Sequence, residues 1–482
     1  MKKLLGTTLA LAMFVPAGAN AELLKNLKVS GQLDVTAVSA QNTRDFVTRP
    51  DGANGGSGPS VAGITTGNDR IGHAFTRTLL SVDWDLLDDV HARVTLVKGA
   101  TGASNVAPRT YGSNPETVQE WQTNTLVQEA SVKIDKLAGL FDTTIGRQFY
   151  GEAGDLIAYF GPRDNYGYRT EALDAFRFDW NGEHLSLTGL AGRTSDGTLG
   201  QTGAQATSTD LRGLIVSCKM HEMVKPTLYL YNAQGHAVGG AGVTVAGKNT
   251  NLYIAGLKAK ITAGGLSAHV EGAKNFGDDR SSFANNALGP KSGRFTGWAV
   301  LTKIAYKIDL SNVGMITPWG EFGMGTGDAN FAHAGNGDFQ AINSDYRPGG
   351  IYGRFDQGSA SALGGAITNG TNGSAASNGL TNRVIWGLGT KASAASLEKL
   401  TLGLGFYRYA FHRVAPKTDG TKVSRNIGSE IDVTVDWKHS ENVSLGVTLG
   451  QFLPGAHIKD LKGDNAAMNP ARLAALDVKI KF

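Results

Sequence analysis

The chain is poor in the features that hold most exported or helical membrane proteins together. It has one cysteine, Cys218, in 482 residues, so no intrachain disulfide can form and another device must stabilise it. It has only one long apolar run, at its start. That excludes a bundle of membrane-spanning helices, each of which needs about 20 consecutive apolar residues. Charge bias is also lacking: 46 Lys and Arg stand against 42 Asp and Glu, a formal net of +4. No dense basic run interleaved with aromatics occurs, so nucleic acid is not an expected partner. No P-loop, HExxH, zinc-spaced Cys/His set or Gly-x-Ser-x-Gly is present, so neither enzyme chemistry nor a cofactor or metal is expected. Proline is low at 13 residues and glycine high at 65, as suits sheet bends and loops.

The apolar run reads as a leader. Lys2 and Lys3 form a basic head, Leu4 to Val15 is a short apolar stretch, and Ala19-Asn20-Ala21 has the small residues a signal peptidase accepts. The pattern predicts a signal peptide over residues 1–21, cleaved before Glu22. The net charge then falls from +4 to +2 as Lys2 and Lys3 leave.

Beyond the leader the dominant signal is alternation with period 2. In "IDVTVDWK", Ile431, Val433, Val435 and Trp437 share one parity, and Asp432, Thr434, Asp436 and Lys438 share the other. Successive side chains of a strand point to opposite faces, so one face is apolar and one wet. About eighteen such segments follow one another. They centre near Leu33, Val82, Val94, Val132, Ile145, Phe178, Leu187, Ile215, Tyr229, Ala255, Ala268, Thr302, Gly320, Trp386, Leu404, Val433, Leu445 and Val478.

The connections alternate long and short. Short ones such as "LLDD", "NGEH", "TAGG" and "HSEN" separate long ones near 40–76, 99–125, 150–172, 191–210, 232–250, 272–294, 325–382, 411–428 and 453–470. Short periplasmic turns and long extracellular loops are the pattern of a transmembrane up-and-down β-barrel. The expected fold is therefore all-β: one antiparallel barrel domain over residues 22–482, in a bacterial outer membrane, with 325–382 as a long extracellular loop. Lipid offers the backbone no hydrogen bonds, and a closed sheet satisfies every strand internally. The lipid bilayer is the first expected partner.

Trp84, Trp180 and Trp437 each end a strand just before a short turn, as a periplasmic aromatic girdle requires. Phe406, Tyr407, Tyr409 and Phe411 are expected at the opposite rim. The Gly/Ala/Ser/Asn-rich stretch Gln357 to Leu380 reads as a flexible loop tip. By parity the inner face should carry Asp34, Arg93, Glu129, Lys133, Arg177, Asp179, Lys258, His269, Glu271, Lys303, Glu321, Asp432 and Asp436. These are candidates to line a pore, where charge and width set selectivity. Both signs occur, so strong anion selectivity does not follow from them. Arg147 shares parity with Ile145 and Phe149, which aims it at lipid unless a bulge or a rim position turns it inward.

The last strand, "LDVKIKF", resembles the closing strand of bacterial outer-membrane barrels: Leu476, Val478 and Ile480 alternate up to a final Phe482. In that class the signature is read by the barrel-assembly machinery, so Val478, Ile480 and Phe482 are the candidate assembly signal. Longer stretches resemble the alginate-export family of eighteen-stranded porins. They are "GRQFYGEAGDLIAYFGP" at 146–162 followed by "LDAFRFDW", "GSEIDVTVDWKHSENVSLGVTLGQFLPG" at 428–455, and "WGEFGMGTGD" at 319–328. The resemblance implies a diffusive channel for an anionic polysaccharide or another small anion. It also implies a place for Arg147 at the pore. The expected function is thus passive outer-membrane diffusion of small hydrophilic solutes, anionic or saccharide. The alternative is a barrel that anchors a surface interaction or adhesion protein.

Overall fold

The computed structural model describes residues 25–42, 70–98, 125–166, 168–195, 207–237, 250–279, 293–327, 335–355, 379–414, 416, 420–462 and 468–482. The leader, and most of the Gly/Ser-rich stretch read as a flexible loop tip, lie outside the described residues.

Eighteen strands follow one another: β1 (Lys25–Gln41), β2 (Arg70–Leu87), β3 (Val90–Lys98), β4 (Leu126–Leu137), β5 (Phe141–Gln148), β6 (Leu173–Asn181), β7 (Leu185–Ser195), β8 (Thr207–Cys218), β9 (Val224–Ala237), β10 (Thr250–Ala263), β11 (Leu266–Asp279), β12 (Trp298–Tyr306), β13 (Gly314–Gly325), β14 (Arg383–Ala394), β15 (Leu400–Phe411), β16 (Asn426–Lys438), β17 (Val443–Pro454) and β18 (Ala471–Lys481). Every one of the eighteen alternation centres falls inside one of them. Each strand pairs antiparallel with its neighbours in sequence, and β1 pairs with both β2 and β18. At the seam the Gly31 amide donates to the Phe482 carbonyl at 2.7 Å, and the Phe482 amide to the Gly31 carbonyl at 3.0 Å. The sheet is closed, which removes the exposed edges that open sheets must protect.

The alternation maps onto two faces as read. On β16, Ile431, Val433 and Trp437 are 44%, 41% and 44% exposed on the outside. Between them Glu430 and Asp432 are buried inside. Exposed Phe176, Phe178 and Trp180 form the same apolar stripe on β6. No helix among the described residues is long and apolar enough to cross a membrane.

Trp84, Trp180 and Trp437 stand on the outer face beside short turns, opposite Ala92, Leu187 and Leu445. The other proposed rim cluster is corrected. On β15, Leu402, Leu404 and Phe406 alternate outward, so Tyr407, Tyr409 and Phe411 point inward, and the last two are fully buried. The run "FYRYAF" has rings at both parities, and only one parity can meet lipid. The exposed outer rings at the long-loop end belong instead to Tyr253, Phe276 and Trp298, the first two stacked at 5.2 Å.

Candidate functional site: the barrel lumen

Two long connections fold back into the barrel. The first spans 149–172, between β5 and β6; the second includes 337–355, between β13 and β14. They are bonded to each other: Tyr159 N donates to Asn343 O at 2.9 Å, Asn343 N to Ile157 O at 2.9 Å, and Asp345 N to Asp155 O at 2.8 Å. Arg163 clamps the junction, with hydrogen bonds to Ser344 O at 2.6 Å and Asn343 Oδ1 at 2.5 Å and ion pairs to Glu171 and Asp345.

Inward charges of the wall hold these segments. Lys258 on β10 pairs with Asp155 at 2.7 Å, and Lys260 pairs with Glu152. Asp34 on β1 binds Arg77 on β2 at 2.6 Å, and Arg77 donates to the Arg163 carbonyl at 2.9 Å. Arg354 reaches across to Asp477 on β18 at 2.8 Å, and Lys479 pairs with Asp164 at 3.0 Å. Burial works to raise the Asp164 pKa, but Arg354, Lys479 and Arg347 override it and hold the carboxyl down at about 2. The same kind of contact holds the Arg354 pKa up against burial, through Tyr166, Asp477 and Asp164.

The tightest anchor is on β16. Glu430 accepts the backbone N–H of Ile351 at 2.6 Å and of Tyr352 at 3.0 Å, and Asp432 accepts that of Gly350 at 2.8 Å. The approach requires glycine at 349: its φ is +83°, and a Cβ there would collide with the Tyr409 hydroxyl and the Glu430 carboxyl. Around this anchor, Tyr352 stacks on Tyr409 at 4.0 Å. Tyr166, Phe355, Leu156 and Phe452 complete an apolar core with the upper wall. The long-loop half of the lumen is therefore packed with protein rather than uniformly wet.

Toward the short turns the lumen stays polar and open. One cavity of about 370 Å³ is bordered by Lys303, Trp319, Arg347, Arg354, Lys391 and Asp436. A second, of about 710 Å³, is bordered by Arg177, Lys225, Lys258, Lys260, Glu152 and Asp155. Strand register joins them. Lys225 is opposite Lys260, Lys260 opposite His269, His269 opposite Lys303, and Lys303 opposite Glu321. Four consecutive strands thus set Lys225, Lys260, His269 and Lys303 side by side on the inner face. Lys225 and Lys391 have no carboxylate partner among the described residues. Lys303 lies 5.0 Å over the Tyr346 ring.

The charged positions expected on the inner face all stand there except Arg147. Lys258, Lys303, Glu321 and Asp432 contact the in-folded segments, and Asp34 holds Arg77, which reaches the Arg163 carbonyl. Glu129 accepts the Phe149 amide at 3.1 Å, and Glu271 accepts the Tyr229 hydroxyl at 2.7 Å. Arg93, Lys133 and Arg177 pair locally with Asp83, Asp135 and Asp179, and His269 sits beside Glu271. Asp436 faces the smaller cavity.

Arg147 is a correction. It is in register with Asp174 and bonds it at 3.0 Å, on the face that carries Ile145 and Phe176. The ladder from Ala130↔Arg147 to Ile134↔Thr143 is continuous, so no bulge turns Arg147 inward. Parity alone would have found Glu430, Lys260 and Asp477, which alternate with residues already placed. Arg163, Asp345 and Arg354 lie in loops, where no periodicity marks an inward side chain. Among the described residues, no group of three His, Cys, Asp or Glu side chains could hold a metal.

No family model matches the chain, and no curated protein matches it in sequence. Solved structures do match its fold. OpdK of Pseudomonas aeruginosa, determined with vanillate, aligns with a TM-score of 0.51 at 10% identity, over 95% of this chain and 99% of that one. Pseudomonas aeruginosa OpdQ aligns at 0.50 with 12% identity, over 96% and 99%. A BenF-like porin from Pseudomonas fluorescens Pf-5 aligns at 0.50 with 12% identity, over 95% and 99%. At such identity the likeness concerns architecture: the chain has the closed eighteen-stranded antiparallel barrel of these outer-membrane proteins.

Proposed function

We propose that the chain is an outer-membrane porin that passes small hydrophilic anions, carboxylated solutes or acidic saccharides among them, by diffusion. One observation supports this reading. In the inner row Lys225–Lys260–His269–Lys303, Lys225 and Lys260 border the larger cavity and Lys303 the smaller, so lysines face both stretches of the lumen. A graded series of weak sites lets a solute enter without trapping it. The inward charges named above would line or narrow the path. The apolar outer band supports a membrane location, with residues 1–21 as the export signal and Val478, Ile480 and Phe482 as the strand read during assembly. Membership of an alginate-export-like family is the narrower form of the same proposal. It rests on the stretches at 146–162, 319–328 and 428–455.

The test is the reversal potential across a planar bilayer under a salt gradient. Wild-type protein should favour anions. Lys225→Glu should move the preference toward cations without abolishing conductance. An unchanged reversal potential refutes the role of the row, and absence of conductance refutes the channel.

A second reading is a barrel that anchors a surface-binding or adhesive array of loops. The packed long-loop half of the lumen favours it. Silent bilayers together with binding of intact cells to a surface would establish it.

A further inference from the structure

At the long-loop ends of β5–β8 the outer face carries a cluster of charged side chains. At the long-loop ends of these strands, Arg147, Asp174, Arg193 and Asp210 are successive register partners. Arg147 pairs with Asp174 at 3.0 Å and Arg193 with Asp210 at 3.0 Å. One step closer to the short turns, Arg212 is exposed on the same face. Among the described residues its hydrogen-bond acceptors are amide oxygens, Asn232 Oδ1 at 3.3 Å and Gln234 Oε1 at 3.4 Å. Among the described residues of the patch, three arginines stand against two aspartates, a net positive charge. Among the described residues Arg147 has Asp174 as its one hydrogen-bonding partner, and its Nε is out of contact with solvent and without an acceptor.

Immediately below the patch lie exposed Phe176, Phe178 and Leu214. The arginines therefore stand where hydrocarbon gives way to headgroups. A guanidinium presents five donors in a planar fork that matches a phosphate. Cations just above the hydrocarbon attract anionic headgroups. Asp174 and Asp210 space the guanidiniums and prevent their mutual repulsion. A protein partner is disfavoured by this setting, because the patch is continuous with the lipid-facing stripe of β6 and β8.

We propose that Arg147, Arg193 and Arg212 form a docking site for a phosphate-bearing glycolipid headgroup of the outer leaflet, with Arg147 and Arg212 donating to the phosphate. This inference needs the barrel to sit in the membrane but not that it conducts.

The experiment uses the full chain folded in detergent and native mass spectrometry. The probes are bis-phosphorylated lipid A, its dephosphorylated form, and inorganic phosphate. The expected result is retention of lipid A, with the dephosphorylated lipid about tenfold weaker and inorganic phosphate unable to compete at equal concentration. Arg147→Ala/Arg212→Ala should lose the preference while keeping the folded electrophoretic mobility and the bilayer conductance of the wild type. Arg212→Lys, which keeps the charge but not the fork, should fall between. Equal retention of the two lipids, equal binding by the double variant, or displacement by inorganic phosphate would overturn the proposal. So would a change of oligomeric state in the double variant without any change in lipid binding.

Discussion

Replacing Glu430 with alanine should release the in-folded segment at 349–352 while leaving the barrel intact. Glu430 lies fully buried and accepts three hydrogen bonds: from Ile351 N at 2.6 Å, Tyr352 N at 3.0 Å and the Tyr409 hydroxyl at 3.1 Å. Alanine leaves the two loop amides in place without an acceptor, while the Tyr409 hydroxyl keeps the Pro348 carbonyl at 3.3 Å. Each such buried donor costs about 1–3 kcal/mol. Two effects oppose the loss: a buried carboxyl group no longer has to be desolvated, and Asp432 no longer has a second carboxyl group beside it. Removing one side of a buried polar network is nonetheless strongly destabilising, because the partners remain buried. Counting only the two loop amides, at the low end, gives about 2 kcal/mol. Local opening should rise about 30-fold.

Hydrogen exchange reads this directly. The amides of Ile351 and Tyr352 should exchange about 30-fold faster. Amides of β16 and β17 should be unchanged, because the ladder through Glu430↔Phe452 uses backbone atoms alone. In bilayers the variant should show larger current fluctuations as the segment leaves the wall. Unchanged exchange at 351 and 352 would refute the claim that this carboxylate anchors the segment. Faster exchange throughout β16 would refute the separation of anchor from barrel.

Other expectations follow from the two faces and from the charge pairs. Val433→Arg on the lipid face should destabilise by roughly 2–4 kcal/mol, while Thr434→Arg, which borders the smaller cavity, should cost far less in the same unfolding assay; equal costs would refute the assignment of faces. Asp164, held at about 2 by Arg354, Lys479 and Arg347, contributes stability that is fully present above the free value of about 3.9 and is lost only as pH falls through about 2. Protease access to the in-folded segments should therefore be flat from about pH 7 to pH 4 and rise below about pH 3; release centred near pH 6 would show that another group controls the latch.

Strand number, order and facing were legible because one rule holds along every strand: one parity is apolar and the other polar. Strand ends were less so, since β2 begins at Arg70 and β11 runs to Asp279, inside stretches read as long connections. A residue such as Val433 must be apolar if lipid touches it, while Asp432 and Thr434 need not be. Periodicity exposes that rule directly, and the short turns give the phase. Arg147 shows where it weakens: near the rim a charged side chain can face outward, since the headgroup region accepts it. "FYRYAF" shows another weakness. Rings at both parities look like a girdle until Tyr409 and Phe411 are seen packing against Tyr352 and its neighbours.

The lumen was less legible, and for a different reason. Alternation places Lys258, Asp432 and Asp477 inside, but it carries no information on what they meet there. Their partners lie in connections without periodicity, separated from them by long stretches of chain: Asp155 from Lys258, Gly350 from Asp432, Arg354 from Asp477. The row of Lys225, Lys260, His269 and Lys303 likewise depends on register between strands, which no single strand reveals. The sequence by itself determined a closed antiparallel sheet and the polarity of each wall, because local period and loop length encode them. Only the tertiary structure decided how far the lumen is filled, which charges face one another across it, and where cations accumulate. These depend on shear between strands and on loops that return to the wall.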